Sequence, residues 1–256
     1  MRRIKKLLLG VMILGSCATA QAEQGMLRIA TEGAYPPYNF VNPDGSLGGF
    51  DVDIANALCA QMQVQCKLVK QDWDGIIPGL LAKKYDAIVA SMAITPERQQ
   101  KVAFSDKYEG GYSMLYGAKE LSDSSPQALR GKVIAVQSGS IQEDFAEAYY
   151  GKAGVSVRRY PDTQTAMMDL TASRVDAVML EVGLVYEAKK DPSLDAYQGF
   201  GEKFKDPKYF GSGSGIAVRK QDQALLAELN QALASILADG TYKQINDKYF
   251  PYNQYD

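Results

Sequence analysis

Histidine is absent from this 256-residue chain, tryptophan occurs once and cysteine three times. Without an imidazole, the protein cannot contain a Ser/His/Asp or Cys/His nucleophile system, or a histidine-bound zinc protease site. An excess of positive charge is also lacking, because 28 Lys and Arg stand against 30 Asp and Glu. No basic run occurs beyond the extreme N-terminus, so we expect no nucleic-acid-binding face.

Long apolar runs are scarce as well, apart from one stretch near the start of the chain. Four basic residues precede LLLGVMIL (7–14), and a small-residue segment that ends at Ala22 follows it. This order is typical of a secretory signal peptide, and the run is shorter than the about 20 residues of a membrane anchor. We predict export with cleavage after Ala22. Alternatively, residues 14–17 form a lipoprotein box that would place a lipid on Cys17.

The two remaining cysteines, Cys59 and Cys66, lie seven positions apart. Export to an oxidising compartment favours a disulfide between them. Two buried free thiols are the alternative.

Helical and strand periodicities alternate along the rest of the chain. Residues 26–31 and 66–71 have the pattern of strands, and residues 50–63 have apolar side chains at helical spacing. The alternation restarts near residue 112, and a long amphipathic helix follows at 222–239. The pattern predicts an α/β protein with two similar lobes.

An internal repeat supports this duplication. LLAKKYDAIVAS (80–91) aligns with LTASRVDAVMLE (170–181), and each copy reads as a helix that runs into a buried strand. Ligands of open α/β sheets bind beyond the carboxyl ends of the strands. We therefore expect Ser91 and Glu181 on equivalent lips of a cleft between the lobes. A generic helix-strand pattern without duplication is the alternative.

Two segments offer donors for an anion. In ITPERQ (94–99), Arg98 lies in the first turn of a helix that Thr95 caps, where a positive charge is misplaced unless an anion is bound beside it. In QSGSIQED, Ser140 begins another helix directly after a strand. The alternatives are a solvent-facing Arg98 neutralised by Glu97, and a Ser140 that only caps its helix.

Other segments offer groups for a cation. Glu32 and Tyr35 follow the first strand, and Trp73 follows another; aromatic rings beside a carboxylate suit a guanidinium or an ammonium. Glu181 ends a buried strand and needs a positive partner, either a protein side chain or a ligand. Ordinary packing of the rings is the alternative. Taken with the anion donors, these groups match the functional groups of a basic amino acid.

Several motifs together resemble the periplasmic amino-acid-binding proteins of ATP-binding-cassette importers (solute-binding protein family 3), nearest to the lysine/arginine/ornithine and histidine binders. The motifs are EGAYPPYNF, GGFDVDIANALC, IPGLLAKKYDAIVASMAITPERQQKVAFSDKY, VQSGSIQEDF, SRVDAVMLE and LADGTYKQINDKYF. The resemblance implies a two-lobed type II periplasmic-binding-protein fold, in which each lobe is a mostly parallel sheet flanked by helices. Lobe 1 would comprise 23–110 and 214–256, lobe 2 would comprise 113–206, and the two hinge crossovers 111–112 and 207–213.

The resemblance also implies roles for the groups that hold the α-carbon substituents of the ligand. Arg98 would bind the carboxylate, helped by the backbone N–H groups of Ala93 and Ile141. Glu181 would pair with the α-ammonium, and Ser91 would support it. The full predicted ligand-binding set is Glu32, Tyr35, Trp73, Ser91, Ala93, Arg98, Ser140, Ile141, Gln142 and Glu181.

The ligand side chain would lie between Tyr35 and Trp73, with its cationic end at Glu32 and Gln142. Cys59 and Cys66 match a disulfide of the same subgroup. The chain departs from its nearest relatives at Ala90 and Ala93, where they carry serines, and at Glu181, where the family has aspartate. Trp73 replaces a smaller hydrophobic residue or Phe, and a larger stacking face favours the planar guanidinium of arginine over the ammonium of lysine.

The predicted function is capture of a basic L-amino acid, with arginine first and then lysine, ornithine or histidine. A periplasmic monomer would deliver it to an inner-membrane permease by hinge closure, with no cofactor and no metal. One alternative is an exported enzyme that resembles cyclohexadienyl dehydratases, with Glu181 as general acid. The other is an amino-acid sensor for a membrane signalling protein.

Overall fold

The computed structural model describes residues 26–256. The strands are β1 Leu27–Thr31, β2 Ala34–Tyr35, β3 Asn39–Val41, β4 Leu47–Gly48, β5 Cys66–Lys70, β6 Ala87–Ile88, β7 Ala103–Glu109, β8 Ser113–Ala118, β9 Val133–Gln137, β10 Ser156–Tyr160, β11 Ala177–Glu181, β12 Tyr197–Phe204 and β13 Ser214–Val218. The α-helices are α1 Phe50–Gln61, α2 Ile76–Leu81, α3 Pro96–Gln99, α4 Ile141–Tyr149, α5 Thr163–Thr171, α6 Val182–Ala188, α7 Pro207–Phe210, α8 Gln223–Ala238 and α9 Thr241–Tyr249.

Two five-stranded sheets share one topology. Their strand orders are β5-β1-β6-β13-β7 and β10-β9-β11-β8-β12. In the first sheet β1 is parallel to β5 and β6, while β13 is antiparallel to β6 and β7. In the second sheet β9 is parallel to β10 and β11, while β8 is antiparallel to β11 and β12. The predicted α/β architecture with two mostly parallel sheets is confirmed.

The internal repeat occupies the same position in both sheets. Asp86 precedes β6 and accepts a hydrogen bond from the backbone N–H of Arg28 on β1 (3.1 Å). Asp176 precedes β11 and accepts one from the backbone N–H of Val133 on β9 (2.9 Å). In each lobe the aspartate ties the start of one strand to its parallel neighbour, which explains why the two segments read alike.

The chain passes twice between the sheets. Strands of the first sheet lie within residues 27–109 and 214–218, and all strands of the second lie within 113–204. The return passage contains α7, whose Phe210 packs on Phe145 of α4 with ring centroids 5.1 Å apart. These passages bring the carboxyl ends of β1, β6, β9 and β11 to one gap between the sheets.

Buried aromatic rings support the first sheet beneath that gap. Phe50 opens α1, has no exposed surface, and packs against Tyr38, Tyr108, Tyr242 and Phe250. The C-terminal segment thereby closes over the same core that positions Tyr38 and Tyr108 near the gap.

The predicted signal peptide (1–22), its cleavage after Ala22 and the alternative lipid site at Cys17 lie outside the described residues. Within residues 26–256, no helix combines the length and the apolar character that crossing a bilayer requires.

Cys59 on α1 and Cys66 at the start of β5 form a disulfide, with their Cα atoms 6.1 Å apart. Because the bridge closes a short loop, we expect the double variant Cys59→Ala/Cys66→Ala to lose about 2–3 kcal/mol of unfolding free energy. Urea denaturation would measure the difference. Reductant should lower the stability of the unmodified protein to that of the variant and leave the variant unchanged. Equal stabilities under oxidising conditions would contradict this expectation.

Candidate functional site

A cavity of about 200 Å³ lies between the two sheets, and all ten sequence-predicted residues line it. They are Glu32, Tyr35, Trp73, Ser91, Ala93 and Arg98 from the first lobe, and Ser140, Ile141, Gln142 and Glu181 from the second. Most of them follow or end a strand, which is why the topology gathers residues so distant in sequence.

Arg98 is the cation on one wall of the cavity. Its guanidinium donates to the carbonyl oxygen of Ala93 (3.2 Å) and to that of Gly139 across the gap (3.4 Å). Glu97, the expected neutralising partner in the alternative interpretation, forms an ion pair with Lys101 instead (3.1 Å). Among residues 26–256, no carboxylate oxygen lies within 4 Å of this guanidinium. Burial lowers the pKa of Arg98 to about 10, so it remains charged at neutral pH.

Backbone groups accompany Arg98 on this wall. Thr95 caps α3 by accepting the N–H of Arg98 (3.2 Å), and Ser140 caps α4 by accepting the N–H of Glu143 (3.1 Å), as the sequence predicts. The bridge between the strands at Ala93 uses the N–H groups of Ile94 and Gly215, so it does not engage the N–H of Ala93. The wall thus combines a guanidinium with N–H donors at the cavity.

Trp73 packs directly on this cation. The Arg98 Cζ atom lies 5.2 Å from the centroid of the Trp73 ring, and the indole N–H donates to the Gly139 carbonyl oxygen (3.1 Å). A flat guanidinium over an indole face is a favourable cation–π arrangement. The ring therefore holds Arg98 in place in addition to lining the cavity.

Glu32 lies at another wall and is only 4% exposed. Its carboxyl group accepts a hydrogen bond from the side-chain amide of Gln137, the last residue of β9 in the second sheet. Burial raises the pKa of Glu32 to about 7, because few groups around it replace the water that would stabilise its charge. The glutamine that contacts Glu32 is therefore Gln137 and not Gln142. Gln142, which the sequence analysis assigns to this end, donates instead to the hydroxyl of Ser113 (3.1 Å).

Glu181 forms a third wall together with Tyr35, whose hydroxyl donates to the Glu181 Oε2 atom (3.4 Å). No Lys or Arg nitrogen among the described residues comes within 4 Å of its carboxyl group. Gly111 and Gly183 lie so close to this wall that a side chain at either position would collide with it. A Cβ atom on Gly111 would lie 3.0 Å from the Glu181 Oε1 atom, and one on Gly183 would lie 2.3 Å from the Tyr38 hydroxyl.

Ser91 connects the cavity to a buried carboxyl group. Its hydroxyl donates to the Asp51 Oδ2 atom (3.1 Å), while its N–H donates to the Tyr108 hydroxyl (2.9 Å). Asp51 also accepts from Asn39 (2.7 Å) and has no exposed surface. The backbone of Ser91 lies in the left-handed region (φ 45°), a conformation that costs free energy outside glycine and often marks a binding site.

Sequence reasoning missed five residues that line the cavity, Lys107, Tyr112, Gln137, Lys205 and Asp256. It also missed two buried acids that contact lining residues: Asp51 contacts Ser91, and Glu109 contacts Glu181. Asp51 lies inside the motif GGFDVDIANALC, and Glu109 directly follows FSDKY, yet a charged residue on a helix or strand is usually solvated. Only their burial indicates a special role. Within the described part of the chain, no group of three or more His, Cys, Asp or Glu is placed to hold a metal ion.

Comparison with known proteins agrees with this geometry. Residues 27–252 match the family of bacterial extracellular solute-binding proteins, family 3. The L-arginine-binding protein of Pseudomonas aeruginosa is 45% identical over 257 residues, covering 98% of this chain and 99% of that protein. The lysine/arginine/ornithine-binding periplasmic protein of Escherichia coli is 39% identical over 259 residues, again covering 98% and 99%.

A solved periplasmic binding protein of Salmonella typhimurium, described as having high arginine specificity, superposes with a TM-score of 0.82. It is 34% identical, and the match covers 88% of this chain and 99% of that one. An ancestral arginine-binding protein bound to arginine gives a TM-score of 0.81 at 36% identity, covering 88% and 98%. With its two sheets, its interlobe cavity and a family match over nearly every described residue, the chain belongs to the bacterial extracellular solute-binding proteins, family 3.

Proposed function

We propose that this protein captures a basic L-amino acid, L-arginine before lysine, ornithine or histidine, in the cavity between its lobes. One observation carries the proposal. Within residues 26–256, the guanidinium of Arg98 in the cavity has no carboxylate partner, and the carboxyl groups of Glu32 and Glu181 have no Lys or Arg partner. A ligand with one carboxylate and two separated cationic groups complements that arrangement. The names of the relatives, which bind arginine or lysine, arginine and ornithine, support the same ligand class.

In this proposal the ligand carboxylate meets Arg98 and the N–H groups of Ala93 and Ile141, close to Ser140. A guanidinium binds a carboxylate best through two parallel hydrogen bonds. The α-ammonium meets Glu181. The side chain runs between Tyr35 and Trp73 toward Glu32, with Gln137 as the second polar group at that end.

We expect the lobes to close because the bound ligand contacts both of them. We propose the lobe boundaries given above, with hinges at 111–112 and 207–213. Contacts across the gap support a closed arrangement, since Glu32 accepts from Gln137, Trp73 donates to Gly139 and Tyr35 donates to Glu181. A ligand that contacts both lobes stabilises the closed form over the open one.

The partner in this proposal is an inner-membrane ATP-binding-cassette permease that recognises the closed form. The protein would act as a periplasmic monomer after cleavage behind Ala22, by binding and without turnover. Neither a dehydratase-like enzyme nor a sensor is favoured, because the relatives described above are binding proteins. Incubation with prephenate or arogenate tests the enzyme alternative, and we expect no product.

A thermal-shift panel of the twenty amino acids tests the ligand class. A ligand that binds only the folded protein raises its melting temperature by mass action. We expect the largest shift with L-arginine, smaller shifts with lysine, ornithine and histidine, and none with acidic amino acids. A panel in which no basic amino acid stabilises the protein would refute the proposed function.

The preference for arginine should depend on Trp73. Because an indole face stacks on a planar guanidinium, we expect Trp73→Leu to weaken arginine binding by about 0.5–2 kcal/mol relative to lysine. Isothermal titration calorimetry of both ligands on both proteins gives the comparison. Trp73 also supports Arg98, which every amino-acid ligand would contact, so the informative quantity is the ratio of the two affinities. Lysine or histidine binding to the unmodified protein as tightly as arginine would contradict the preference.

A further inference from the structure

Two buried carboxyl groups meet at the wall where the α-ammonium would bind. Glu109 ends β7 at the first passage between the lobes and has no exposed surface. Its carboxyl group lies within hydrogen-bonding distance of that of Glu181, which ends β11 in the other lobe. The Glu109 Oε1 atom accepts a hydrogen bond from the amide of Gln254 (3.3 Å). Its Oε2 atom has no donor among the described residues.

Two ionised carboxylates cannot remain in contact in a buried site, because both only accept hydrogen bonds and their charges repel. A proton on the Glu109 carboxyl group resolves both problems, since that group then becomes the donor in the contact with Glu181. One proton shared by the two carboxyl groups would account for their contact and for the Glu109 oxygen that lacks a donor.

The groups around the two glutamates do not favour loss of this proton. Asp51 adds negative charge nearby, but its own oxygens accept from Asn39, Ser91 and Tyr108. The hydroxyls of Tyr35, Tyr38, Tyr108 and Tyr252 and the amide of Gln254 also face the pair, and all are neutral. Lys107, Lys205 and Asp256 line the same cavity, and Arg98 lies on another wall. No lysine or arginine of the described chain pairs with either glutamate.

We propose that Glu109 is a positioning residue that stays in its neutral acid form, donates a hydrogen bond to Glu181, and makes amino-acid binding depend on the protonation of this pair. The inference rests on the proposed function and adds to it a coupling between ligand capture and proton release. Glu181 must be ionised to hold an ammonium, so a second proton on the pair competes with the ligand.

The direction of the pH dependence follows from the same geometry. Burial raises the pKa of Glu181 to about 7 and holds the pKa of Glu109 well above its ordinary value. The ammonium stabilises ionised Glu181, so binding lowers the pKa of that group and releases a proton. Affinity should be greatest above pH 7 and fall by up to about tenfold per pH unit below it, the limit for one linked proton.

Glu32 titrates in the same range and would face the guanidinium, so its contribution must be separated. Citrulline keeps the α-ammonium and has an uncharged side chain of nearly the same shape. 5-Guanidinopentanoate keeps the guanidinium and lacks the ammonium. Proton release with citrulline reports the acids at the ammonium end, which are Glu109, Glu181 and Asp51, whose pKa burial raises to about 6. The Glu109 variants distinguish the pair from Asp51, and release with 5-guanidinopentanoate reports Glu32.

The experiment is calorimetric titration from pH 5.5 to 9 in buffers of different ionisation enthalpy, with Glu109→Gln and Glu109→Leu as matched variants. Gln keeps a neutral donor toward Glu181, so we expect affinities within about threefold of the unmodified protein and an unchanged pH profile. Leu removes the donor, so the loss of affinity should begin about 1–2 pH units higher, the equivalent of one hydrogen bond to a charged group. At pH 9 the Leu variant should recover most of its affinity.

Three results would overturn the inference while leaving arginine binding intact. These are citrulline binding that does not change with pH, a Leu variant whose profile coincides with that of the unmodified protein, and a Gln variant that loses more than about 30-fold at pH 8.5. The last would mean that Glu109 acts as a carboxylate. If the Leu variant does not fold, the Gln variant and the number of protons released on citrulline binding still test the inference. Failure of every basic amino acid to bind at any pH would instead refute the proposed function.

Discussion

Replacing Arg98 by alanine is expected to weaken arginine binding by about 2–5 kcal/mol, which corresponds to roughly 30-fold to several-thousand-fold in Kd. The reason is that Arg98 is the cation on its wall of the cavity and has no carboxylate partner among residues 26–256. Removing it would leave the ligand carboxylate desolvated and unpaired. Calorimetry at pH 8, where Glu32 and Glu181 are mostly ionised, measures the change.

Two further variants separate binding from structure. Arg98→Lys keeps the charge but loses the planar, two-pronged donor, so its affinity should lie between those of the unmodified protein and the alanine variant. Arg130→Ala removes an exposed arginine of the second lobe and should change nothing. Since the two hydrogen bonds of Arg98 go to backbone carbonyls, its loss should cost little stability in urea. If the alanine variant binds arginine normally, Arg98 does not belong to the site.

Glu181→Gln should weaken arginine binding by a comparable amount, about 2–5 kcal/mol. Glutamine has the same size and still accepts from the Tyr35 hydroxyl, so the cavity keeps its shape and loses only the negative charge. The α-ammonium of the ligand would then be buried without an anion. The stability of the folded protein should rise slightly or stay unchanged, because the unliganded protein no longer buries a carboxylate that has no Lys or Arg partner among residues 26–256.

The matched control for this variant is a ligand. 5-Guanidinopentanoate lacks the α-ammonium, so Glu181→Gln should leave its affinity nearly unchanged while arginine loses at least 30-fold. Glu181→Asp retains the charge on a side chain one methylene shorter and should bind arginine better than the Gln variant. Equal losses for both ligands would show that the substitution disturbs the whole cavity and would remove Glu181 as the ammonium partner.

Much of the scaffold could be predicted from local pattern. The strand expected at 26–31 is Leu27–Thr31, and the helix expected at 50–63 is Phe50–Gln61. The helix expected at 222–239 is Gln223–Ala238. These elements are readable because apolar spacing reports which face of a strand or helix is buried. The same spacing revealed the duplicated segments, which occupy equivalent strands of the two sheets.

Partners within the site were harder to predict. Glutamine residues occur at both 137 and 142 in one segment, and only the structure shows that Gln137 reaches Glu32, which lies 105 positions away. Glu97 lies next to Arg98 in sequence, yet it points to Lys101 one helical turn later. The alternative in which Glu97 neutralises Arg98 is therefore not what the structure has, and the sequence indicated no partner for Glu109.

The amino-acid sequence by itself determined the α/β architecture, the repeat of two lobes, the cysteine pair and the residue types that gather at the strand ends. Each of these follows from periodicity, capping and composition within short segments. Tertiary structure alone decided which charges lack partners, that Asp51 and Glu109 lie buried beside Glu181, and in which direction the carboxyl pKa values move. Those properties depend on desolvation and on contacts between residues from opposite lobes. A short segment of sequence contains only one of the two contacting residues, so it cannot reveal the contact.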